Sequence, residues 1–304
     1  MLRRLIAPRL RSVAAARRRG ACSAAPEYAS SCTIPTTFVD LPLVSRAEHT
    51  HDSTIYEFAT ADGRPLNLPV CACVLLEAPG GNVRPYTPIS EDAGRFSLLV
   101  KRYERGAASS WLDSLPLGAR VPFKHISANV KEPYPFEGRG ALSMICGGTG
   151  IAPMYHALKK VLGTPGDDRR VTLLYGNTSE RDILLRDELE SLARAHPARL
   201  KLVHVLGDRP DAPSPPGWAD TDTYVAESGW VDKEKIARHC APPADDAAVF
   251  VCGAPVGSSA RLLQCRRAIA CSGIAAYGSV AQAADARCVR RTARDVRRAV
   301  RTAQ

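Results

Sequence analysis

The chain has 304 residues, 45% of them hydrophobic, which is enough for two domains with cores of their own. Its net charge of +10 lies at the two ends: residues 1–26 hold seven arginines and no acid, and residues 254–304 hold ten arginines against two aspartates. Subtracting these excesses leaves −5 for residues 27–253, and this mildly acidic middle argues against binding to a nucleic-acid backbone. The ten cysteines contain no Cys-x-x-Cys pair, so zinc and plant-type iron–sulfur sites are not expected.

The first 26 residues, MLRRLIAPRLRSVAAARRRGACSAAP, have the composition of a mitochondrial presequence. A disordered basic tail or a wrongly assigned start codon is the alternative. We therefore predict that residues 1–35 are a presequence and linker that do not fold, and that the protein is mitochondrial. No stretch approaches 18 apolar residues, so no transmembrane segment is expected, although peripheral membrane association is possible.

Residues 36–136 contain short strand-like segments separated by Gly, Pro and Asp, which predict a small antiparallel β-barrel. The segments are STIYEF, PVCACVLLE, FSLLVKRY and ARVPF. One helix is predicted among them, SSWLDSL, with Trp111, Leu112 and Leu115 on one face.

Residues 137–253 alternate strand and helix, which predicts a doubly wound parallel sheet with helices on both faces. The predicted strands are ALSMIC, VTLLYG, LKLVHVLG and AAVFVCG. Three helices are predicted. The first starts within GGTGIAPM, the second spans DILLRDELESLARA (182–195), and the third spans DKEKIARH. Ligands of such sheets bind at the carboxyl ends of the strands, so we expect the site there.

Two strand ends carry residues suited to a dinucleotide. Gly147, Gly148, Thr149 and Gly150 follow one strand and open a helix, so backbone amides and the helix N-terminus can approach a diphosphate. A plain glycine-rich turn is the alternative. Cys252 and Gly253 end the last strand, where a cysteine is often only a packing residue.

A third segment, RPYTPIS, holds an arginine, a tyrosine and hydroxyls in an extended chain because its two prolines restrict the backbone. The order RPYTPIS, LVK (99–101), GGTGIAPM and a late Cys-Gly resembles the NADH-cytochrome b5 reductases of the ferredoxin-reductase-like flavoproteins. The resemblance covers residues 36–253. It implies an FAD-binding barrel at 36–136, an NAD-binding α/β domain at 137–253, and electron flow from NADH through FAD to a haem protein, for which cytochrome b5 is expected.

The resemblance also implies roles for individual residues. Arg84 would contact the FAD diphosphate, Tyr86 would lie along the flavin, and Thr87 would act near the flavin atom that accepts the hydride. The other residues implied for FAD are Pro85, Leu99, Lys101 and the phosphate turn Gly106, Ala107, Ala108 and Ser109. An ordinary N-cap is the alternative for Ser109, and the two roles are compatible because a cap hydroxyl can also face a phosphate.

On the NADH side the resemblance implies Gly147, Gly148, Thr149, Gly150, Pro153, Cys252 and Gly253, with Cys252 beside the nicotinamide. Asp208 would accept the ribose hydroxyls and repel a 2′-phosphate, so NADH would be preferred to NADPH. A turn-forming aspartate in Asp-Arg-Pro is the alternative for Asp208.

Two segments depart from the family pattern. A Gly-Gln-His-like strand end is replaced by Pro69-Val70-Cys71-Ala72-Cys73. Residues 254–304 are rich in Arg and Ala and lack the expected last helix and strand; an out-of-frame reading of the gene or a divergent disordered tail would explain this. Two other functions stay open: a sibling reductase serving an iron–sulfur protein or oxygenase, which would share the FAD motifs, and a flavin-binding redox factor with low turnover, which the atypical tail favours.

Overall fold

The computed structural model describes residues 32–92, 94–126, 133–207, 224–242 and 244–253. The predicted presequence, the tail from residue 254 and Asp208 lie outside the described residues. Among those described, no helix has the length and hydrophobicity needed to cross a membrane.

The first half of the chain folds into a seven-stranded antiparallel sheet with the order β4-β3-β7-β1-β2-β6-β5. The long strand β1 pairs with β7 through its first four residues and with β2 through the remainder, so it joins the two parts of the sheet. A short helix, α1, follows β6. The elements are β1 (Val39–Thr50), β2 (Ser53–Ala59), β3 (Val74–Ala78), β4 (Asn82–Tyr86), β5 (Ser90–Asp92), β6 (Arg95–Lys101), α1 (Ala107–Asp113) and β7 (Arg120–His125).

The core of this half contains three phenylalanines from different strands. The ring centroids of Phe58, Phe96 and Phe123 lie 4.8 to 5.6 Å apart in stacked and edge-to-face arrangements. Helix α1 closes one side of this core through Leu112, which is fully buried, with Trp111 and Leu115 partly buried beside it. The predicted apolar face of this helix is therefore confirmed.

The second half folds into a five-stranded parallel sheet with the order β11-β10-β9-β8-β12. Helices α2 and α3 contribute to the core on one face, and Ile236 of α4 packs on the other. The predicted parallel sheet with helices on both faces is confirmed. The elements are β8 (Ala141–Gly147), α2 (Ile151–Gly163), β9 (Arg170–Asn177), α3 (Arg186–Ala195), β10 (Leu200–Leu206), β11 (Tyr224–Ser228), α4 (Lys233–His239) and β12 (Ala247–Gly253).

The two halves share one hydrophobic core. Cys71 and Leu99 from the antiparallel half belong to the same buried cluster as Met144, Cys146 and Ile151 from the parallel half. Burial of apolar surface between the sheets stabilises their contact. The carboxyl edge of the parallel sheet is therefore placed against the antiparallel sheet.

Some predicted bounds were wrong. Helix α3 begins at Arg186 rather than at residue 182, because Ser179 and Asp182 form a capping box on a separate 3₁₀ turn and Leu185 adopts a left-handed φ of 56°. Strand β3 begins at Val74, after the left-handed backbone of Cys71. Strands β1, β4, β5 and β11 were not predicted as separate strands.

Candidate functional site

The glycine-rich turn lies at the carboxyl edge of the parallel sheet, as predicted. Gly147 ends β8, a 3₁₀ turn spans Gly148–Gly150, and α2 starts at Ile151. Gly148 has a φ of 52°, and a Cβ atom added there would meet no atom of the described residues within 4 Å. A Cβ atom added at Gly150 would overlap the carbonyl oxygen of Cys252. The turn is therefore open on one side and packed tightly against β12 on the other.

Tyr175 of β9 holds this turn in place. Its hydroxyl donates a hydrogen bond of 3.0 Å to the carbonyl oxygen of Gly148 and accepts one of 3.3 Å from the backbone N–H of Leu184. The side chain is fully buried, and burial raises the pKa of its hydroxyl well above the ordinary value. Tyr175 was not predicted as a site residue. The sequence feature that could have indicated it is a tyrosine hydroxyl within an otherwise aliphatic buried strand.

Other strand ends lie along the same edge. Cys252 pairs in register with Cys146, and Gly253 pairs with Gly147, so the two strands end side by side. The side chain of Cys252 is half-buried. Asn177, at the end of β9, is 5% exposed, and its side chain lies beside the Tyr175 hydroxyl, whose pKa it lowers against the larger effect of burial.

The RPYT segment supplies the end of β4. Arg84 is exposed, and its Nη1 donates a hydrogen bond of 2.8 Å to the carbonyl oxygen of Val83. Pro85 lies opposite Leu75 of β3. Tyr86 is half-buried against the antiparallel core, and burial raises the pKa of its hydroxyl to about 12. Thr87, also half-buried, directly follows the strand.

Strand β6 brings Leu99 and Lys101 to the contact between the halves. The strand lies against the Gly148–Gly150 turn, and Leu99, 3% exposed, belongs to the shared core. Lys101 Nζ lies 2.8 Å from Asp52 Oδ2 and 3.2 Å from Asp182 Oδ1. Although burial opposes the charged form, the hydrogen bonds and charges of these carboxylates raise the pKa of Lys101. Lys101, which we predicted to contact FAD, thus also connects the two halves.

The predicted phosphate turn is compact and satisfies its own hydrogen bonds. Ser109 is 6% exposed; its hydroxyl donates to the carbonyl oxygen of Gly106 at 3.1 Å and accepts the N–H of Tyr103 at 3.3 Å. Helix α1 begins at Ala107, so the residue at its N-cap is Gly106 and the predicted N-cap role of Ser109 was wrong. Ala107 is exposed and Ala108 is buried at 6%.

Pro153 lies in the first turn of α2, and its carbonyl oxygen accepts a hydrogen bond of 3.2 Å from the Sγ of Cys71. Thr149 is half-buried in the glycine turn. The structure thus brings β6, the glycine turn and Cys252 to one contact region, and Gly106–Ser109 open helix α1, which lies against β4 and its RPYT residues.

These residues fit two nucleotide cofactors. The open Gly148 backbone at the N-terminus of the 13-residue helix α2 can receive a diphosphate, because no side chain blocks the approach. The exposed guanidinium of Arg84 suits a second phosphate on the antiparallel half. The amide of Asn177, beside the Tyr175 hydroxyl, adds polar atoms at the same edge.

Two family models match the chain. The oxidoreductase FAD-binding domain matches residues 40–130, and the oxidoreductase NAD-binding domain matches residues 144–257. The first covers most of the antiparallel half, and the second covers the parallel sheet with its glycine turn and the end of β12. The protein therefore has an FAD-binding domain followed by an NAD-binding domain.

Named relatives agree with this assignment. NADH-cytochrome b5 reductase 1 of Lodderomyces elongisporus is 37% identical over 232 residues, which are 74% of this chain and 73% of that protein. NADH-cytochrome b5 reductase 2 of Xenopus tropicalis is 34% identical over 73% of this chain and 79% of its own length. The solved cytochrome b5 reductase domain of Ulva prolifera nitrate reductase is 30% identical, with a TM-score of 0.63, covering 73% of this chain and 88% of that one. By these similarities, and by the order of its two domains, the chain belongs to the NADH-cytochrome b5 reductase family.

Proposed function

We propose that this protein takes electrons from NADH onto FAD and delivers them to a one-electron acceptor, a cytochrome b5-like haem protein. The flavin accepts a hydride, which is two electrons, and releases electrons singly; this chemistry belongs to the cofactor. The protein contributes binding, orientation and exclusion of water.

One observation supports this proposal above all others. The open glycine turn of the NAD-binding domain lies against β6 of the FAD-binding domain, and Leu99 of that strand shares a core with Ile151 at the start of α2. Hydride transfer requires two rings in contact and shielded from water. A contact between the two domains at the carboxyl edge of the parallel sheet meets this requirement.

The residues of the chain then have separate tasks. Arg84 neutralises charge on the FAD diphosphate, and Tyr86 and Thr87 position the flavin next to the edge of the parallel sheet. The glycine turn receives the NADH diphosphate, and Tyr175 keeps that turn rigid through its bond to Gly148. In this assignment Cys252 lies beside the nicotinamide, where its half-buried thiol limits access of water.

The choice of electron donor depends on Asp208 in this proposal. A carboxylate facing the ribose would repel the 2′-phosphate of NADPH. Asp208→Ala should then narrow the preference for NADH, measured as the ratio of kcat/KM for the two donors. An unchanged ratio would remove Asp208 from the site.

The acceptor is tested directly by competition between electron carriers. With the FAD-loaded protein and NADH, we expect cytochrome b5 to be reduced much faster than a [2Fe–2S] ferredoxin at equal concentration. Faster reduction of the ferredoxin would favour the sibling reductase. Slow reduction of every carrier, despite full flavin content, would favour the low-turnover redox factor.

We also propose a mitochondrial location, which the arginine-rich and acid-free start of the chain supports. Residues 1–35 fused to a fluorescent protein should direct it to mitochondria. The same fusion with the seven arginines of residues 1–26 changed to glutamine should stay outside them. Equal distribution of the two fusions would contradict the proposal.

A further inference from the structure

Three cysteine thiols meet around the first turn of α2. The Sγ of Cys71, from the FAD-binding domain, donates a hydrogen bond of 3.2 Å to the carbonyl oxygen of Pro153. Cys252 and Cys146 are register partners on adjacent parallel strands, so their side chains lie on the same face of the sheet. The backbone of Cys252 lies against Gly150, three residues before Pro153, and the charge of Cys252 acts on the thiols of both Cys71 and Cys146. Two thiols of one domain therefore lie close to one thiol of the other.

The backbone of Cys71 is unusual for a residue with a side chain. Its φ is 65°, in the left-handed region, which is unfavourable for a residue with a side chain. The family pattern has glycine in this segment, which would carry no such cost. Glycine would suit this backbone conformation better than cysteine, so the thiol is kept at the cost of backbone strain. Strained residues of this kind cluster at functional sites.

The thiols differ in accessibility. Burial raises the pKa of the Cys71 thiol to about 12, and the neighbouring Cys252 adds to that rise. Burial and the same neighbour raise the pKa of Cys146 well above its ordinary value. Cys252, at the end of β12, is half-buried. An oxidant that enters the edge of the sheet therefore reaches Cys252 first, while Cys71 stays protonated and protected.

We propose that Cys252 and Cys71 form an oxidation-sensitive pair that closes into a disulfide between the two domains when the protein meets a peroxide. The Cys252 sulfur attacks the peroxide, the O–O bond breaks, and a sulfenic acid and one water form. The Cys71 sulfur then displaces the hydroxyl group from the Cys252 sulfur, the S–S bond forms, and the proton of Cys71 leaves in a second water. The two thiols together lose two electrons, which reduce one hydrogen peroxide to two waters.

The bond would change the enzyme in two ways. It would tie the FAD-binding domain to the end of β12, and it would remove the Cys252 thiol from the edge where we place the nicotinamide. Reduction of the flavin by NADH should therefore fall severalfold and recover when a dithiol breaks the bond. This consequence rests on the proposed function, whereas formation of the bond does not.

The experiment uses the full chain loaded with FAD. The protein is treated with hydrogen peroxide, remaining thiols are alkylated, and peptides are identified by mass. We expect a peptide pair joined through Cys71 and Cys252, lighter than its separate parts by two hydrogen atoms and lost after treatment with dithiothreitol. Cys71→Gly should keep the basal rate of flavin reduction, form no joined pair, and leave a Cys252 sulfenic acid that dimedone traps. Cys73→Ser, two residues away, should leave the joined pair unchanged.

Two results would overturn the proposal. One is a joined peptide pair that links Cys252 to Cys146 and not to Cys71. The other is oxidation of Cys252 to sulfinic acid with no joined pair in the wild type. If NADH fails to reduce the flavin of the untreated protein, the proposed function is contradicted. The peptide masses still show independently whether Cys71 and Cys252 form a disulfide.

Discussion

Lys101 of β6 and Asp182, which precedes α3, form an ion pair across the boundary between the FAD-binding and NAD-binding domains, with 3.2 Å between Nζ and Oδ1. The two side chains are 20% and 15% exposed, so water screens the pair only in part. Asp52 of the FAD-binding domain binds the same ammonium at 2.8 Å. The pair therefore connects the domains electrostatically beside the core that they share.

Asp182→Asn should destabilise the protein by about 1–3 kcal/mol, because a mostly buried, charge-assisted bond is lost. The free energy of unfolding in urea measures this. Asp62→Asn is the matched control, since Asp62 pairs with Arg64 only two residues away on the surface and should leave stability unchanged. Equal effects of the two substitutions would contradict a specific role for the contact between domains.

The same pair predicts a dependence on pH. Burial opposes the Asp182 charge, but the hydrogen bonds from Ser179 and Lys101 and the charge of Lys101 lower its pKa overall, so its contribution is lost as pH falls below about 4. The raised pKa of Lys101 means that its contribution is lost only above about pH 10. The difference in stability between wild type and Asp182→Asn should persist between these limits and shrink below pH 4.

Arg84→Ala should lower the FAD content of the purified protein while the NAD-binding domain stays folded. The guanidinium is exposed, and within the part of the chain that the structure describes it donates a hydrogen bond only to the carbonyl oxygen of its neighbour Val83, so its removal should cost little stability. Flavin absorbance per protein measures the result. Arg95→Ala, which removes an exposed arginine paired with Glu57, is the control and should keep full flavin. Full flavin in both variants would remove Arg84 from the site.

Gly150→Ala should impair both stability and reduction by NADH. The added methyl group would overlap the backbone of Cys252, so the end of β12 must move away from α2 at a cost of about 1–3 kcal/mol. Gly163→Ala is the control, because a methyl group there, in the last turn of the same helix, would meet nothing within 4 Å. Thermal unfolding and stopped-flow reduction of the flavin give the two readouts; unchanged values for Gly150→Ala would contradict the close packing.

Tyr175→Phe should raise the KM for NADH more than it changes FAD content. The substitution leaves the Gly148 carbonyl and the Leu184 N–H without their buried partner, at a cost of about 1–3 kcal/mol. Tyr134→Phe removes a comparable bond of 2.9 Å to Thr164, at the far end of α2, and serves as the control. If the control raises the KM equally, the effect is general loss of stability rather than loosening of the turn.

Much of this arrangement could be predicted from the sequence. Alternation of strand and helix after residue 137 predicted the parallel sheet, and the glycines after β8 predicted the turn at its carboxyl edge. These signals are local, since hydrophobic periodicity shows which face of an element is buried. They do not show which other element covers that face.

The features that sequence reasoning missed depend on contacts between distant segments. Asp182 was assigned to a helix, although its carboxylate caps a 3₁₀ turn and binds Lys101, 81 residues away. Cys71 was assigned to a strand, although its backbone turns back to place its thiol on Pro153. Tyr175 was predicted only as a member of the strand VTLLYG, because no spacing rule connects it with Gly148 across the end of the sheet.

A flavin held between these two domains should be reduced by NADH alone. The most direct test is to add NADH, without oxygen, to the purified yellow protein and to follow the flavin absorbance in a stopped-flow instrument. We predict that the yellow absorbance bleaches fully with about one NADH per flavin, in line with the two electrons that a hydride carries. A protein that keeps its full FAD content and its yellow colour in excess NADH would contradict the account.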